Sequence, residues 1–109
     1  SKTDDAIAAF TGGAGVTDGG VVMTAPEIAE NGNTVPVAVS APGAVSIMVL
    51  ATGNPTPAVA TFNFGTLAGA RSGSTRIRLA NTQDVIAIAT IEDGTCRRAG
   101  ATVKVTVGG

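Results

Sequence analysis

The sequence predicts an all-β fold, an immunoglobulin-like antiparallel β-sandwich of about seven strands preceded by a short N-terminal helix. Apolar and polar residues alternate along most of the chain, as they do on strands with one buried face. Turn-forming residues, among them 15 Gly and 5 Pro, separate the alternating segments. The chain has no Trp, no Tyr and only 3 Phe, so its core must be built from Val, Ile, Leu and Ala, a composition that suits short strands.

Residues 1–13 predict the helix. Thr3 can cap its N-terminus, and Gly12 and Gly13 are suited to ending it. Ile7 and Phe10 are three residues apart and share one helix face. We therefore expect these two side chains to attach the helix to the sandwich. The glycine-rich segment that follows, up to residue 20, predicts a loop.

Seven segments alternate as strands do, and turns rich in Asn, Gly, Pro and Asp separate them. The predicted strands are 21–25, 34–40, 45–51, 59–64, 75–80, 85–91 and 101–107. The Cys…Trp…Cys framework of antibody domains is absent. A length of 109 residues predicts a single domain over residues 1–109.

Two predicted strands are apolar on both faces, although a sandwich strand needs only one apolar face. The additional apolar residues are Met48, Leu50, Ile86 and Ile88. A loop or the N-terminal helix could cover them, or they could form a protein interface, since a sizeable exposed apolar patch usually marks one. An incorrect strand register is the third explanation. These four residues are therefore candidate interface residues.

Composition and charge exclude several functions. A formal net charge of −1 gives no sign of a general nucleic-acid binder, and no apolar run approaches the roughly 20 residues of a membrane-spanning helix. With no His and 1 Cys, the usual His/Cys zinc site is excluded, as are Ser-His-Asp and Cys-His catalysis. We therefore expect no metal site and no catalytic residue.

Cys96 is the only cysteine, and Arg97 and Arg98 follow it. Neighbouring positive charge lowers the pKa of a thiol, so a reactive thiol or an intermolecular disulfide is conceivable. The plainer interpretation is an inert cysteine in the turn between the last two strands. Because adjacent strand residues point to opposite faces, only one of the two arginines can share its side.

Two further features admit a plain and a functional interpretation. Arg76 and Arg78 lie on one face of a predicted strand, with Arg71 nearby in sequence, and they form either a solvated face or a docking site for a small oxyanion or an acidic partner. Strand pairing is expected to fix residues 103–107, but nothing in the sequence fixes Gly108 and Gly109. This glycine pair is either a frayed end or the stem of an arm.

Three segments resemble one known family. Residues 26–37, Pro-Glu-Ile-Ala-Glu-Asn-Gly-Asn-Thr-Val-Pro-Val, closely resemble the N-terminal signature of the SoxY family. These proteins are the sulfur-carrier subunits of the bacterial thiosulfate-oxidising Sox system. The phrase Ile-Glu-Asp-Gly at 91–94 and the closing Val-Lys-Val-Thr-Val-Gly-Gly at 103–109 fit the same family.

The resemblance implies a sandwich that pairs with a second sandwich subunit, SoxZ, and a C-terminal Gly-Gly-Cys-Gly-Gly arm. The arm cysteine carries thiosulfate-derived sulfur to the active sites of other Sox enzymes. Gly108 and Gly109 match the start of this arm, so the carrier cysteine is expected directly after Gly109. Cys96 does not occupy the carrier position. The residues present are thus expected to fold and bind partners without including the sulfur-carrying atom.

The resemblance also implies that the chain is a carrier and not an enzyme, that it needs no cofactor, and that it acts in the periplasm after removal of a signal peptide. Without its partner, the chain is expected to self-associate through the apolar candidate interface. The rival hypothesis is a non-catalytic structural or interaction module of immunoglobulin-like fold. A third is a small-oxyanion binding protein that uses Arg76 and Arg78.

Overall fold

The computed structural model describes residues 1–109 and contains one helix and nine strands. The elements in chain order are α1 (Lys2–Thr11), β1 (Val16–Asp18), β2 (Val22–Thr24), β3 (Ile28–Ala29), β4 (Val35–Ser40), β5 (Ala44–Ala51), β6 (Ala58–Asn63), β7 (Ser72–Ile77), β8 (Gln83–Ile91) and β9 (Cys96–Val105). The helix is too short to cross a membrane.

The strands form two sheets. The larger has the order β1-β9-β8-β5-β6, with β3 also paired to β9, and the smaller has the order β2-β4-β7. The short strands β1 and β3 run parallel to β9, whereas the other paired strands are antiparallel. The predicted β-sandwich with a short N-terminal helix is confirmed.

The main core lies between the two sheets, where the period-two alternation places the apolar residues. On β4, Val35, Val37 and Val39 are buried, while Pro36 and Ala38 between them are exposed. Residues of β5, β8 and β9 complete the same cluster, among them Ile47, Val49, Val85 and Val103. Small and branched aliphatic side chains thus build the core, as the composition predicts.

The ends of several elements differ from the prediction. Ser1, not Thr3, caps α1, and its hydroxyl accepts a hydrogen bond from the Asp4 amide at 3.2 Å. Gly12 ends the helix in a left-handed conformation, with φ of 68°. The predicted strand 75–80 is found at Ser72–Ile77, because pairing with β4 runs from Ser40↔Ser72 to Val35↔Ile77.

The last strand also begins earlier than predicted. Residues 96–100 pair with β8, starting at Thr90↔Cys96, so Cys96 lies in a strand and not in the preceding turn. The strand ends at Val105, two residues before the predicted end. The strands β1 and β3, of three and two residues, were not predicted because such short segments carry no visible alternation.

Helix α1 lies on the outer face of the larger sheet and covers the four candidate interface residues. Leu50 and Ile88 are completely buried, and Met48 and Ile86 are each 5% exposed. The residues that pack on this cluster are Ala6, Ile7, Phe10 and Val16. The expectation that the four residues form an exposed interface is therefore corrected. They form a second, smaller core under the chain's own helix, attached through the predicted residues Ile7 and Phe10.

Candidate functional site

Three chain segments meet where the chain reaches Gly109. The Gly32 amide donates to the Val107 carbonyl at 2.8 Å, and the Leu79 amide donates to the Gly32 carbonyl at 2.7 Å. The Gly109 amide then donates to the Leu79 carbonyl at 3.0 Å. We call this arrangement of Gly32, Leu79, Val107 and Gly109 the C-terminal clamp. It holds the chain end to the body of the protein through the backbone alone.

The clamp has no space for side chains at its glycines. A β carbon on Gly32 would collide with the Leu79 carbonyl oxygen, and one on Gly108 would collide with the Ala80 carbonyl oxygen. A β carbon on Gly109 would lie 2.7 Å from the Gly32 carbonyl oxygen. None of the three glycines has a positive φ. The need for glycine here is therefore one of close backbone approach and not of unusual conformation.

The prediction that nothing fixes Gly108 and Gly109 is therefore wrong. Gly109 is partly buried, and its amide has a hydrogen-bond partner within the domain. The clamp also unites two of the segments that carry the family resemblance, since Gly32 lies in the 26–37 signature and Gly109 closes the 103–109 segment.

A network of side chains fixes the segment that receives Gly109. The Asn54 side-chain amide donates to the Arg78 carbonyl at 2.7 Å. Gln83, only 7% exposed, accepts from the Gly53 amide at 2.8 Å and donates to the Asn54 side-chain oxygen at 3.1 Å. Since Leu79 itself is completely buried, the clamp is built on a buried and hydrogen-bonded part of the fold.

Arg78 is the charged residue nearest to the clamp in sequence and lies against it in space. A β carbon built on Gly109 would lie 2.9 Å from Cγ of Arg78, so the end of the chain passes over the stem of this side chain. Arg78 is exposed and has no carboxylate within 4.0 Å of its guanidinium. The neighbouring Arg76 is also exposed and contacts the Thr34 hydroxyl at 3.4 Å.

Arg71 has a structural role that its sequence neighbourhood does not reveal. Its side chain is 9% exposed and donates to the carbonyls of Ala44, Ala68 and Thr66 at 2.5, 3.0 and 3.3 Å. It also forms an ion pair with Glu92 at 3.0 Å. This arginine therefore ties the loop between β6 and β7 to the sandwich, and it is not part of an arginine docking face.

Cys96 is buried, with 4% exposure, and its thiol is free. Its backbone pairs with Thr90 on one side and with Val16 on the other. The burial of Cys96 corrects the hypothesis of an intermolecular disulfide. A buried sulfur cannot reach a second chain unless the strand opens. Cys96 behaves here as a small apolar residue of a strand.

The turn before β9 holds the one carboxyl whose pKa is clearly shifted. The Asp93 carboxylate accepts hydrogen bonds from the hydroxyl and the amide of Thr95, at 2.6 and 2.9 Å. These bonds favour the charged form and lower the pKa of Asp93 below its usual value. The group is fully exposed and stabilises the turn. No group of three or more Cys, Asp or Glu side chains is arranged to hold a metal ion.

The outer face of the smaller sheet is exposed at Val22, Thr24, Pro36 and Ala38. It carries an open groove of about 520 Å³ that runs over β2, β4 and β7. Small and apolar residues line most of it, among them Ala25, Pro26, Pro36 and Ala38, with Arg76 at one end. Val22, on the same sheet, is 64% exposed. Since α1 covers the apolar cluster on the larger sheet, this groove is the apolar sheet surface that we consider as a docking face for another protein.

Comparison with known proteins identifies the family of this chain. A family model described as "Sulfur oxidation protein SoxY" matches residues 7–109. Among solved structures, the sulfur carrier protein SoxY from Chlorobium limicola f thiosulfatophilum is 37% identical, with a TM-score of 0.83. The match covers 95% of this chain and 91% of that one. A search of curated proteins gives no match.

More distant solved structures share the fold. Superoxide reductase (neelaredoxin) from Ignicoccus hospitalis is 16% identical with a TM-score of 0.70 over 80% of each chain. The hypothetical protein PH1083 from Pyrococcus horikoshii OT3 is 12% identical with a TM-score of 0.61. Its match covers 75% of this chain and 84% of that one. At these identities the likeness is one of fold alone.

Proposed function

Because this chain belongs to the SoxY family of sulfur-carrier proteins, we propose that it carries sulfur intermediates of thiosulfate oxidation on a cysteine that follows Gly109. The C-terminal clamp is the observation that supports this location most strongly. It brings Gly108 and Gly109, the residues that match the first half of the family's arm, to a defined exit point on the domain surface.

The clamp divides the arm into a fixed root and a moving part. With Gly109 bound to Leu79, the following residue begins about 3.8 Å away, one Cα step further. Release of residues 107–109 moves the last fixed residue back to Thr106, whose amide donates to the Ala29 carbonyl, and the reach of that residue becomes roughly 13 Å at about 3.3 Å per residue. A carrier that must enter another protein's active site would therefore use both states, a docked root at rest and a released root during delivery.

Attachment of thiosulfate to the thiol is an oxidation. A new sulfur–sulfur bond joins the cysteine to the outer sulfur of thiosulfate, the thiol loses its proton, and two electrons leave the pair. The electrons require an acceptor, which we assign to a partner oxidoreductase, since the carrier chain is proposed to be neither an enzyme nor cofactor-dependent. The product keeps a negatively charged sulfonate at its outer end.

The proposed partner is a SoxZ-like sandwich subunit, and the proposed docking surface is the groove on the smaller sheet. Ala38 lies at the centre of this surface, on the middle strand β4, and its side chain is exposed. Ala38→Arg should abolish binding of the SoxZ-like subunit without unfolding the chain. Thr102→Arg, an exposed position on the larger sheet, is the matched control and should bind normally. Equal binding by both variants would reject this surface.

We propose a periplasmic location after removal of a signal peptide, and delivery of the cargo to other Sox enzymes by the arm. Self-association of the chain without its partner would use the groove face, because the apolar cluster under α1 is covered.

Mass spectrometry of the natural full-length protein tests the carrier function. After incubation with thiosulfate and the partner oxidoreductase, the intact mass should rise by one S2O3 unit, and a reductant should remove the addition. A Cys96→Ala variant should still gain the unit, since Cys96 is buried. An unchanged mass in both proteins would reject the carrier function in favour of a structural or interaction module.

A further inference from the structure

We propose that Arg78 is an anion-binding residue at the root of the arm, where its guanidinium pairs with the negatively charged end of the sulfur cargo. The inference rests on the proposed carrier function and adds to it a resting position for the loaded arm. The chemical class of the ligand is a sulfonate borne on a cysteine.

The position of Arg78 is fixed by the residues around it. Asn54 holds its carbonyl at 2.7 Å, and both the amide and the carbonyl of the next residue, Leu79, are engaged in the clamp. Gly109 lies directly over the Arg78 side chain, since a β carbon built on Gly109 would lie 2.9 Å from Cγ of Arg78. Any residue that follows Gly109 therefore starts beside this arginine while the clamp is closed.

The charge of Arg78 is available for a ligand. No carboxylate lies within 4.0 Å of the guanidinium, and the two ion pairs of the structure involve other residues. Arg78 is exposed, and no side-chain hydrogen bond or ion pair occupies its guanidinium. A planar guanidinium offers paired N–H donors that match an oxyanion with two free oxygens.

The geometry favours contact between Arg78 and an arm that carries a sulfonate over contact with an empty arm. A cargo that ends in a sulfonate carries its charge several bonds beyond the cysteine sulfur, which suits a long arginine side chain that starts under Gly109. Pairing of the two groups would hold the cargo against residues 78–80. An uncharged cargo would not gain this contact, so the arm would rest differently before and after the sulfonate is removed.

The rates at which the arm thiol reacts with an anionic and with a cationic reagent test for positive charge at this site. Cys96→Ala removes the one cysteine of residues 1–109, and in the natural full-length protein with this change the proposed arm cysteine reacts with sulfonatoethyl or trimethylammonioethyl methanethiosulfonate. In both reactions the thiol loses its proton, a disulfide forms, and methanesulfinate leaves. The first reagent is an anion and the second a cation, so the ratio of their rates reports the local potential.

Arg78→Gln should lower the anion-to-cation rate ratio by about three- to tenfold at low salt, the size expected for one partly screened charge within several ångströms. Arg78→Lys should keep most of the ratio. Arg98→Gln makes the same charge change at an exposed position of β9, roughly 23 Å along the strand from its end at Val105, which precedes the clamp, and it should leave the ratio unchanged. The effect of Arg78→Gln should also shrink as salt is added.

The outcomes separate this inference from the function on which it rests. A thiosulfate adduct that forms normally, together with equal ratios in Arg78→Gln and Arg98→Gln, overturns the anion site and leaves the carrier function standing. If the rate ratio drops equally in both variants, it reports the net charge of the protein and not a site at Arg78. That result also overturns the anion site. If no arm thiol reacts and no adduct forms, both proposals fall.

Discussion

Gly32 and Gly109 approach so closely that neither position has room for a β carbon. One built on Gly32 would lie 2.8 Å from the Gly109 nitrogen, and one built on Gly109 would lie 2.7 Å from the Gly32 oxygen. Leu79 bridges the pair, since it donates to Gly32 and accepts from Gly109. The root of the proposed arm is therefore part of the folded domain.

Gly32→Ala should open the C-terminal clamp. The added methyl group overlaps backbone atoms of Leu79 and Gly109, so we expect a loss of about 1–3 kcal/mol in unfolding free energy. Hydrogen exchange at the Gly109 amide should accelerate, because its bond to Leu79 is weakened. Chemical denaturation and amide exchange followed by NMR measure the two effects.

Gly65→Ala is the matched control for that change. A β carbon on Gly65 meets nothing within 4 Å, and its φ is not positive, so stability should stay within about 0.5 kcal/mol. If the Gly109 amide exchanges equally fast in both variants and in the unchanged protein, the closed clamp is not the resting state.

Phe10→Ala should weaken the attachment of α1. Phe10 is partly buried against the cluster that contains Leu50 and Ile88, so we expect a cost of about 1–2 kcal/mol. Exposure of that cluster should also increase binding of a hydrophobic dye. Leu67→Ala removes a large apolar side chain that is 98% exposed, and it should change neither quantity. Equal effects of the two substitutions would contradict the covering role of the helix.

Cys96 should react slowly with thiol reagents in the native protein. Its burial predicts a reaction at least roughly 100-fold slower than in denaturant, and no covalent dimer through Cys96 under mild oxidation. Kinetics with a coloured aromatic disulfide and non-reducing electrophoresis test this. A dimer that disappears in Cys96→Ala would show that the strand β9 opens in solution.

Arg71→Met should destabilise the fold more than Arg76→Met does. The first change leaves the carbonyls of Ala44 and Ala68 without their charged donor, at a cost of about 2–4 kcal/mol. Arg76 is exposed and makes one long contact, so its replacement should cost at most about 0.5 kcal/mol. Urea denaturation of the two variants makes the comparison, and similar midpoints would refute the structural role of Arg71.

The alternation of residues predicted the sandwich because each strand carries its own evidence of one buried face. On β4, for example, the buried Val35, Val37 and Val39 are visible in the sequence as every second residue. The same alternation misplaced β7, since Ser72 and Gly73 have little apolar character and join the strand only through pairing with β4.

The clamp was not predictable in the same way. Gly32 and Gly109 have no side chains whose pattern could mark a face, and their contact joins distant parts of the chain. Sequence reasoning placed Gly32 in an ordinary turn and left Gly109 unfixed. The function proposed for the region comes from the resemblance to a known family, whereas only the three-dimensional arrangement shows that two of its signature segments touch.

Peptide-level mass spectrometry of the thiosulfate-treated natural protein shows which cysteine carries the sulfur. We expect the added S2O3 unit on a cysteine in the peptide that extends past Gly109, and an unmodified peptide containing Cys96. An added unit on Cys96, or on no peptide after treatment with thiosulfate and the partner oxidoreductase, would contradict this expectation.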